Sequence, residues 1–230
     1  MSKFIKTGNC FDCSMKVDVF SQLTHEQLDT VNRHRSQVVF KPGETIFKTG
    51  SPLTHMLCMT DGLAKVYLED PNSEKNILLS ILKPVEIIGG PGFLVDDRHY
   101  ITVVALGETT ACFVRVEDYK EVIMNNPKFS MELIKYRNER IIKYFDKIIH
   151  LTHKQAKEKV AETLLYLSDD IYNSNSFSTA LTRQDMADMS ALTKESTIRA
   201  LKELEKEGLI KCDLHHFEIL DKAKLRKISR

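Results

Sequence analysis

The chain has 230 residues, 42% of them hydrophobic and 28% charged, and a net charge of +1. That balance describes an ordinary folded protein and not a disordered one, and the length leaves room for one large or two modest cores. From His153 onward 14 Lys and Arg face 13 Asp and Glu, so any reading of nucleic-acid binding must rest on where single charges sit and not on bulk attraction.

Met1–Cys13 lacks the apolar core of a signal peptide. No later run approaches the roughly 18 apolar residues of a spanning helix. No membrane and a cytoplasmic location are therefore expected. In that reducing compartment the five cysteines read as thiols or metal ligands before disulfides. Thr24–His34, with Leu28 and Val31 on one face, predicts a short helix lying as a lid on the strand-rich segment after it.

From Val38 to Val116, short runs rich in Val, Ile, Leu, Phe and Thr alternate with turn signals. These are Lys41-Pro42-Gly43, Thr49-Gly50-Ser51-Pro52, Thr60-Asp61-Gly62, Asp70-Pro71-Asn72-Ser73 and Gly89-Gly90-Pro91-Gly92. Such punctuation predicts a small antiparallel barrel or roll. Asp61-Gly62, between two apolar runs, predicts a hairpin because Gly accepts the positive φ such turns need.

From Pro127 the apolar period becomes helical. Ile134, Ile141 and Ile148 recur every seven residues, Tyr144 or Phe145 and Leu151 fill a second seam, and Arg137 interrupts it. A seam running to about Thr152 predicts a helix that packs on a second copy, or on the roll's own wall.

From His153 a helix carrying Val160, Leu164, Leu165 and Leu167 gives way to a polar loop at 169–176. Two short helices follow, and then Leu209–Cys212 and Phe217–Leu220 bracket a hairpin. Three helices and a hairpin describe a winged helix-turn-helix. The tail, with Lys222, Lys224, Arg226, Lys227 and Arg230, is one-signed.

In the helix pair, Thr182 with Asp185 predicts a capping box. Met186 and Met189 point inward, Ser190-Ala191-Leu192 is the join, and Thr193 caps the second helix. A stripe of Ile198, Leu201 and Leu204 would turn Lys194, Glu195, Ser196 and Arg199 outward near the helix N-terminus. A recognition helix keeps its base-reading side chains there. Arg can donate twice to guanine and Glu can accept from cytosine, and Glu195 and Arg199, at i and i+4, could orient one another. Thr182, Arg183, Ser196 and Lys202 suit phosphates, which fix register without reading sequence.

Thr182, Arg183, Gln184, Leu192, Thr193, Glu195, Arg199, Leu201, Gly208, Leu209 and Ile210 resemble the DNA-binding domain of Crp/Fnr bacterial transcription regulators. Lys41-Pro42-Gly43-Glu44, Ile46-Phe47, Gly50, Gly62 and Lys65-Val66 resemble that family's cyclic-nucleotide-type β-roll. The resemblance implies an α+β chain: N-terminal segment and roll over 1–126, dimerisation helix over 127–152, winged helix-turn-helix over 153–230. It implies a homodimer on double-stranded DNA with a roughly palindromic operator and RNA polymerase as a further partner. No Ser/His/Asp set, paired-carboxylate motif or H-E-x-x-H converges in the sequence, so no enzyme activity is expected. Members of the family usually carry Gly where Ala191 stands. A rival reading, a roll acting on a protein partner, would not need the helix pair.

The effector is less defined. Members that bind cyclic nucleotide carry Gly-Glu and then Arg with Ser or Thr; here Gly90 stands in place of the Glu, and Arg98 precedes His99 and Tyr100, which argues against cyclic AMP. Cys10, Cys13 and Cys112 resemble three of four cluster cysteines of oxygen-sensing Fnr proteins, implying an iron–sulfur cluster. The remaining one would fall near Val19, which cannot ligate, leaving Asp12 or Asp18 as oxygen donors. Cys112 also reads as a buried strand residue, and Cys58 and Cys212 as strand packing. Haem is a third possibility, but none of the eight histidines stands out, and His215-His216 falls in the wing.

Overall fold

The computed structural model describes residues 3–5, 9–14, 18–70 and 76–229. Pro71-Asn72-Ser73 of one turn signal and Arg230 of the basic tail lie outside the described residues. The chain divides into two compact units, Met1–Leu68 with Ile81–Lys143, and Glu69–Ser80 with Tyr144–Arg230.

Strand β1 (Lys3–Ile5), a 3-10 turn at Asp18–Gln22 and helix α1 (His25–Arg33) come first. Thr24 caps α1 in a capping box with Gln27, and Leu28 and Val31 are buried beneath it, as the spacing predicts. Eight strands follow: β2 (Ser36–Phe40), β3 (Thr45–Phe47), β4 (His55–Asp61), β5 (Ala64–Glu69), β6 (Asn76–Leu82), β7 (Ile87–Ile88), β8 (Thr102–Ala105) and β9 (Thr109–Arg115). They form two antiparallel sheets, ordered β1-β2-β9-β4-β7 and β3-β8-β5-β6.

The Asp61-Gly62 hairpin is not formed. Strand β4 pairs with β9, and β5 with β8 in the other sheet, so this turn carries the chain across a corner. Gly62 has φ +77°, and a Cβ there would stand 2.3 Å from the Glu108 carbonyl oxygen. The glycine expectation therefore holds for a different turn.

Helices α2 (Val116–Asn125) and α3 (Pro127–His153) follow. Tyr119 and Phe129 are fully buried, ring against ring at 5.7 Å, and Phe129 and Leu133 anchor the start of α3 in the roll's core. Tyr136 joins α3 to β7: its hydroxyl accepts from Ile87 N at 3.1 Å and donates to Ile87 O at 3.2 Å. Arg137 does not interrupt the seam, because its guanidinium turns over the Phe93 ring at 5.4 Å. With Arg137 turned aside, Ile134, Ile141, Phe145 and Ile148 stay 52, 44, 60 and 56% exposed.

In the second unit α4 (Ala156–Tyr166) opens on a Gln155–Glu158 capping box and buries Val160, Ala161, Leu164 and Leu165. A π turn at Leu167–Ile171 and strand β10 (Ser176–Ser178) take the two ends of the expected polar loop and leave 172–175 as loop. Helices α5 (Arg183–Ser190) and α6 (Lys194–Lys206) lead to β11 (Ile210–Cys212) and β12 (His216–Ile219), in a sheet ordered β10-β12-β11. Phe177 on β10 stacks on Phe217 at 5.7 Å and on Tyr172 at 4.9 Å, which holds this short strand in place. The basic tail is a helix, α7 (Lys222–Ile228), with Leu225 buried. Lys222 pairs with Asp169, and Arg226 reaches the same carboxylate at 3.0 Å.

Candidate nucleic-acid interface

Three capped helices build the reading head. Thr182 and Asp185 form the expected box: Thr182 Oγ1 accepts from Asp185 N at 3.0 Å, and Asp185 Oδ2 accepts from Thr182 N at 2.8 Å. Satisfying free N–H groups at a helix start contributes about 0.5–2 kcal/mol. Met186 and Met189 are buried, and Thr163 of α4 meets Ser190 of α5 across the core at 2.9 Å.

Ala191 makes the turn. It is left-handed, φ +48° and ψ +48°, and its N–H bonds Ala187 O. That conformation crowds a Cβ and costs a non-glycine residue about 1–2 kcal/mol. The strain explains why glycine suits the position and shows that alanine is tolerated there. Thr193 then caps α6, accepting from Ser196 N at 3.2 Å.

The inner face of α6 is Thr197, Ala200, Leu201 and Leu204. Ile198, expected in that stripe, is half-buried at its border. Leu201 and Leu204 are buried as expected, while the small residues Thr197 and Ala200 take the rest of the inner face and let α6 lie close to its neighbours. Lys194, Glu195, Arg199 and Lys202 are all exposed, with Ser196 half-buried. Among the described residues no ion pair joins Glu195 to Arg199, so the mutual orientation expected of them is not formed.

Thr182 and Arg183 are already engaged. The Thr182 hydroxyl also donates to Asp185 Oδ2 at 2.9 Å. Arg183 Nη2 donates to Asp213 O at 2.8 Å, and its guanidinium covers the Phe217 ring at 4.8 Å. Arg183 thus ties the start of α5 to the β11–β12 hairpin. In the wing, the His216 ring sits between Ser176 Oγ at 3.2 Å and Ser178 Oγ at 3.0 Å, and His215 and Leu214 are exposed. Sequence reasoning missed the two serines; the Ser-Phe-Ser alternation at 176–178 is the period-two signal that marks them.

The glycine loop of the β-roll lies in the first unit. Gly90 has φ +73°, and a Cβ built on it would stand 3.9 Å from His99 Nδ1. His99 is buried and stacks on Phe47 at 4.0 Å, and among the described residues its Nδ1 has no hydrogen-bond partner. Burial holds its pKa below the ordinary histidine value. Arg98 is exposed and donates to Gly50 O at 2.8 Å. Gly90 thus carries no side chain where the resemblance places a carboxylate, and the Arg98 guanidinium is directed to the Gly50 carbonyl.

Cys10 and Cys112 are buried and Cys13 is half-buried. Arg35 Nη1 lies 3.1 Å from Cys112 Sγ. Val19 fills core space, while Asp12 and Asp18 are exposed. Among the described residues no three His, Cys, Asp or Glu side chains are grouped to hold a single metal ion. No helix is long and apolar enough to cross a membrane, again among the described residues.

Residues 37–126 match the model of the cyclic nucleotide-binding domain, and residues 158–228 match that of the Crp-like helix-turn-helix domain. The chain belongs to the Crp/Fnr family. It is 26% identical over 228 residues to the transcriptional activator protein Anr of Pseudomonas aeruginosa, covering 95% of this chain and 91% of that one. Against the nitrogen fixation regulation protein FixK of Bradyrhizobium diazoefficiens the figure is 24% over 225 residues, with 96% and 93% covered. The solved structure of FixK2 from Bradyrhizobium japonicum has the same fold, with TM-score 0.77 at 17% identity over 85% of this chain and 98% of that one. This Crp/Fnr protein is a DNA-binding transcription regulator and not an enzyme. A roll acting on a protein partner is not favoured, since the helix-turn-helix and wing are complete.

Replacing Ala191 with Gly removes the left-handed strain but adds about 0.4–1 kcal/mol of unfolded-state freedom. The expected net gain is about 0.5–1 kcal/mol by thermal or urea unfolding, with DNA preference unchanged. A loss of stability would contradict the turn geometry.

Proposed function

We propose that this regulator works as a homodimer in the cytoplasm, reading a roughly palindromic operator with the outward face of α6. The observation that carries the DNA contact is the exposure of Lys194, Glu195 and Arg199 on the N-terminal half of a helix whose opposite face is buried. A helix presented in this way enters the major groove by its N-terminal residues. Arg199 donates to guanine and Glu195 accepts from cytosine, while Lys194, Ser196 and Lys202 contact the flanking phosphates. Thr182 closes the cap of α5, and Arg183 sets the wing against the backbone. RNA polymerase is the further partner in this reading.

The homodimer is supported by α3. Its exposed Ile134, Ile141 and Ile148 repeat every seven residues, with Phe145 between them, and such a seam is complementary to itself. Fully burying a side chain of this size contributes about 1.5–3 kcal/mol. A two-fold pair places two reading heads about 34–36 Å apart, one turn of DNA.

For the effector we propose an iron–sulfur cluster held by thiolates including Cys10, Cys13 and Cys112. The donor chemistry fits: a CxxC pair lies near a strand cysteine, and Arg35 supplies positive charge at Cys112. Bound there, the cluster would supply redox sensitivity. The chain's own part is to hold the thiols in the roll's core and to link that core to α3 through Phe129, Leu133 and Tyr136.

Arg199→Ala should cost about 1–3 kcal/mol on the operator and relax preference at one base pair. Lys202→Ala should weaken all duplexes alike and reduce the salt slope by about one. Equal losses on operator and random DNA for Arg199→Ala would place it on phosphate. Ile141→Glu should give a monomer in sedimentation, and operator affinity should fall about 100-fold or more; a dimer of unchanged affinity would remove α3 as the interface.

A further inference from the structure

Four of the five cysteines gather in the first unit, and one of them has no part in the ligand set proposed for the cluster. Cys58 on β4 and Cys112 on β9 are direct partners across the two antiparallel strands. Cross-strand partners point to the same face, with Cβ atoms about 4.5–5.5 Å apart. That face is the core: Cys58, Cys112 and Cys10 lie in one buried cluster, with Phe11 packed against it from the Cys10–Cys13 loop. Cys13, half-buried, follows Cys10 by three residues on the same loop. The fifth cysteine, Cys212, is on β11 in the other unit.

We infer that Cys58 is the fourth thiolate of the cluster site, so that this chain completes its ligands across the β4–β9 strand pair. The inference rests on the proposed iron–sulfur effector. It accounts for the missing ligand, because Val19 cannot serve and Asp12 and Asp18 are exposed, whereas Cys58 already faces Cys112. Four cysteines are the usual complement of a [4Fe–4S] or [2Fe–2S] centre. A polynuclear centre takes its thiolates on different iron atoms, so the four sulfurs need not converge on one point.

Metal binding takes the proton from each ligating thiol. Arg35 Nη1 donates to Cys112 Sγ at 3.1 Å, so a cation already stands beside the charge that ligation creates.

The test is anaerobic reconstitution of the full chain with ferrous iron and sulfide, reading iron, sulfide and the visible absorption spectrum per protomer. Wild type, Cys58→Ser, Cys58→Ala, Cys112→Ser and Cys212→Ser are compared. We expect wild type and Cys212→Ser to load, and both Cys58 variants to lose most of their iron and sulfide, as Cys112→Ser does. Cys58→Ala leaves no hydroxyl stranded in the core, and a thermal melt shows whether it folds. Independently of any variant, wild type labelled with 13C at the cysteine β-carbons should show four cysteines with hyperfine-shifted signals. Full loading of folded Cys58→Ala, or three shifted cysteines in wild type, would overturn the role of Cys58 and leave the cluster standing. Wild type that takes up no iron would overturn both.

Discussion

The second unit is organised by the burial of one narrow stripe of α6. Thr197, Ala200, Leu201 and Leu204 are fixed inside, and at about 100° per residue that choice leaves Glu195, Arg199 and Lys202 no place but the surface; Lys194 is exposed as the first residue of the helix. The Thr163–Ser190 contact sets how α5 lies on α4. The left-handed Ala191 sets the angle from which α6 departs. Arg183 then fixes the wing by holding Asp213 and covering Phe217. Charge composition contributes little here, which is consistent with a protein that reads DNA while its own net charge is near zero.

The long helix α3 carries two sets of obligations along one axis. Its first turns are anchored in the roll by Phe129 and Leu133 and tied to β7 by the Tyr136 hydroxyl. Arg140 faces Glu86 at 3.7 Å, and Arg137 Nη1 lies 3.5 Å from Gly90 O. The glycine loop and the strand before it therefore touch α3 directly. In the proposed dimer, a change in the roll's core would reach the seam through these few contacts. Differential stability of two arrangements is what an effector must supply for such a shift.

Much of this was legible in the sequence. The period-seven isoleucines, the Thr182–Asp185 cap, the buried methionines and the outward Glu195 and Arg199 all follow from local spacing. What escaped depends on partners far along the chain. Strand β10 has three residues and exists because β12 lies beside it and Phe217 stacks on Phe177. Helix α7 hides its single buried Leu225 among charges, and its lysine and arginine find Asp169 more than fifty residues away. Asp61-Gly62 has hairpin chemistry, but sheet membership is decided by β8 and β9. The pairing of Cys58 with Cys112 is likewise a matter of strand register, which no spacing in the sequence reveals.

The central claim is that two exposed α6 faces, held in a two-fold pair, read base edges one helical turn apart. Selection of bound duplexes from a fully random pool by the purified full-length protein tests it most directly. The expected product is an enriched inverted repeat whose half-sites are centred about 10–10.5 base pairs apart. Enrichment of a single unrepeated site, or none over the starting pool, would contradict it.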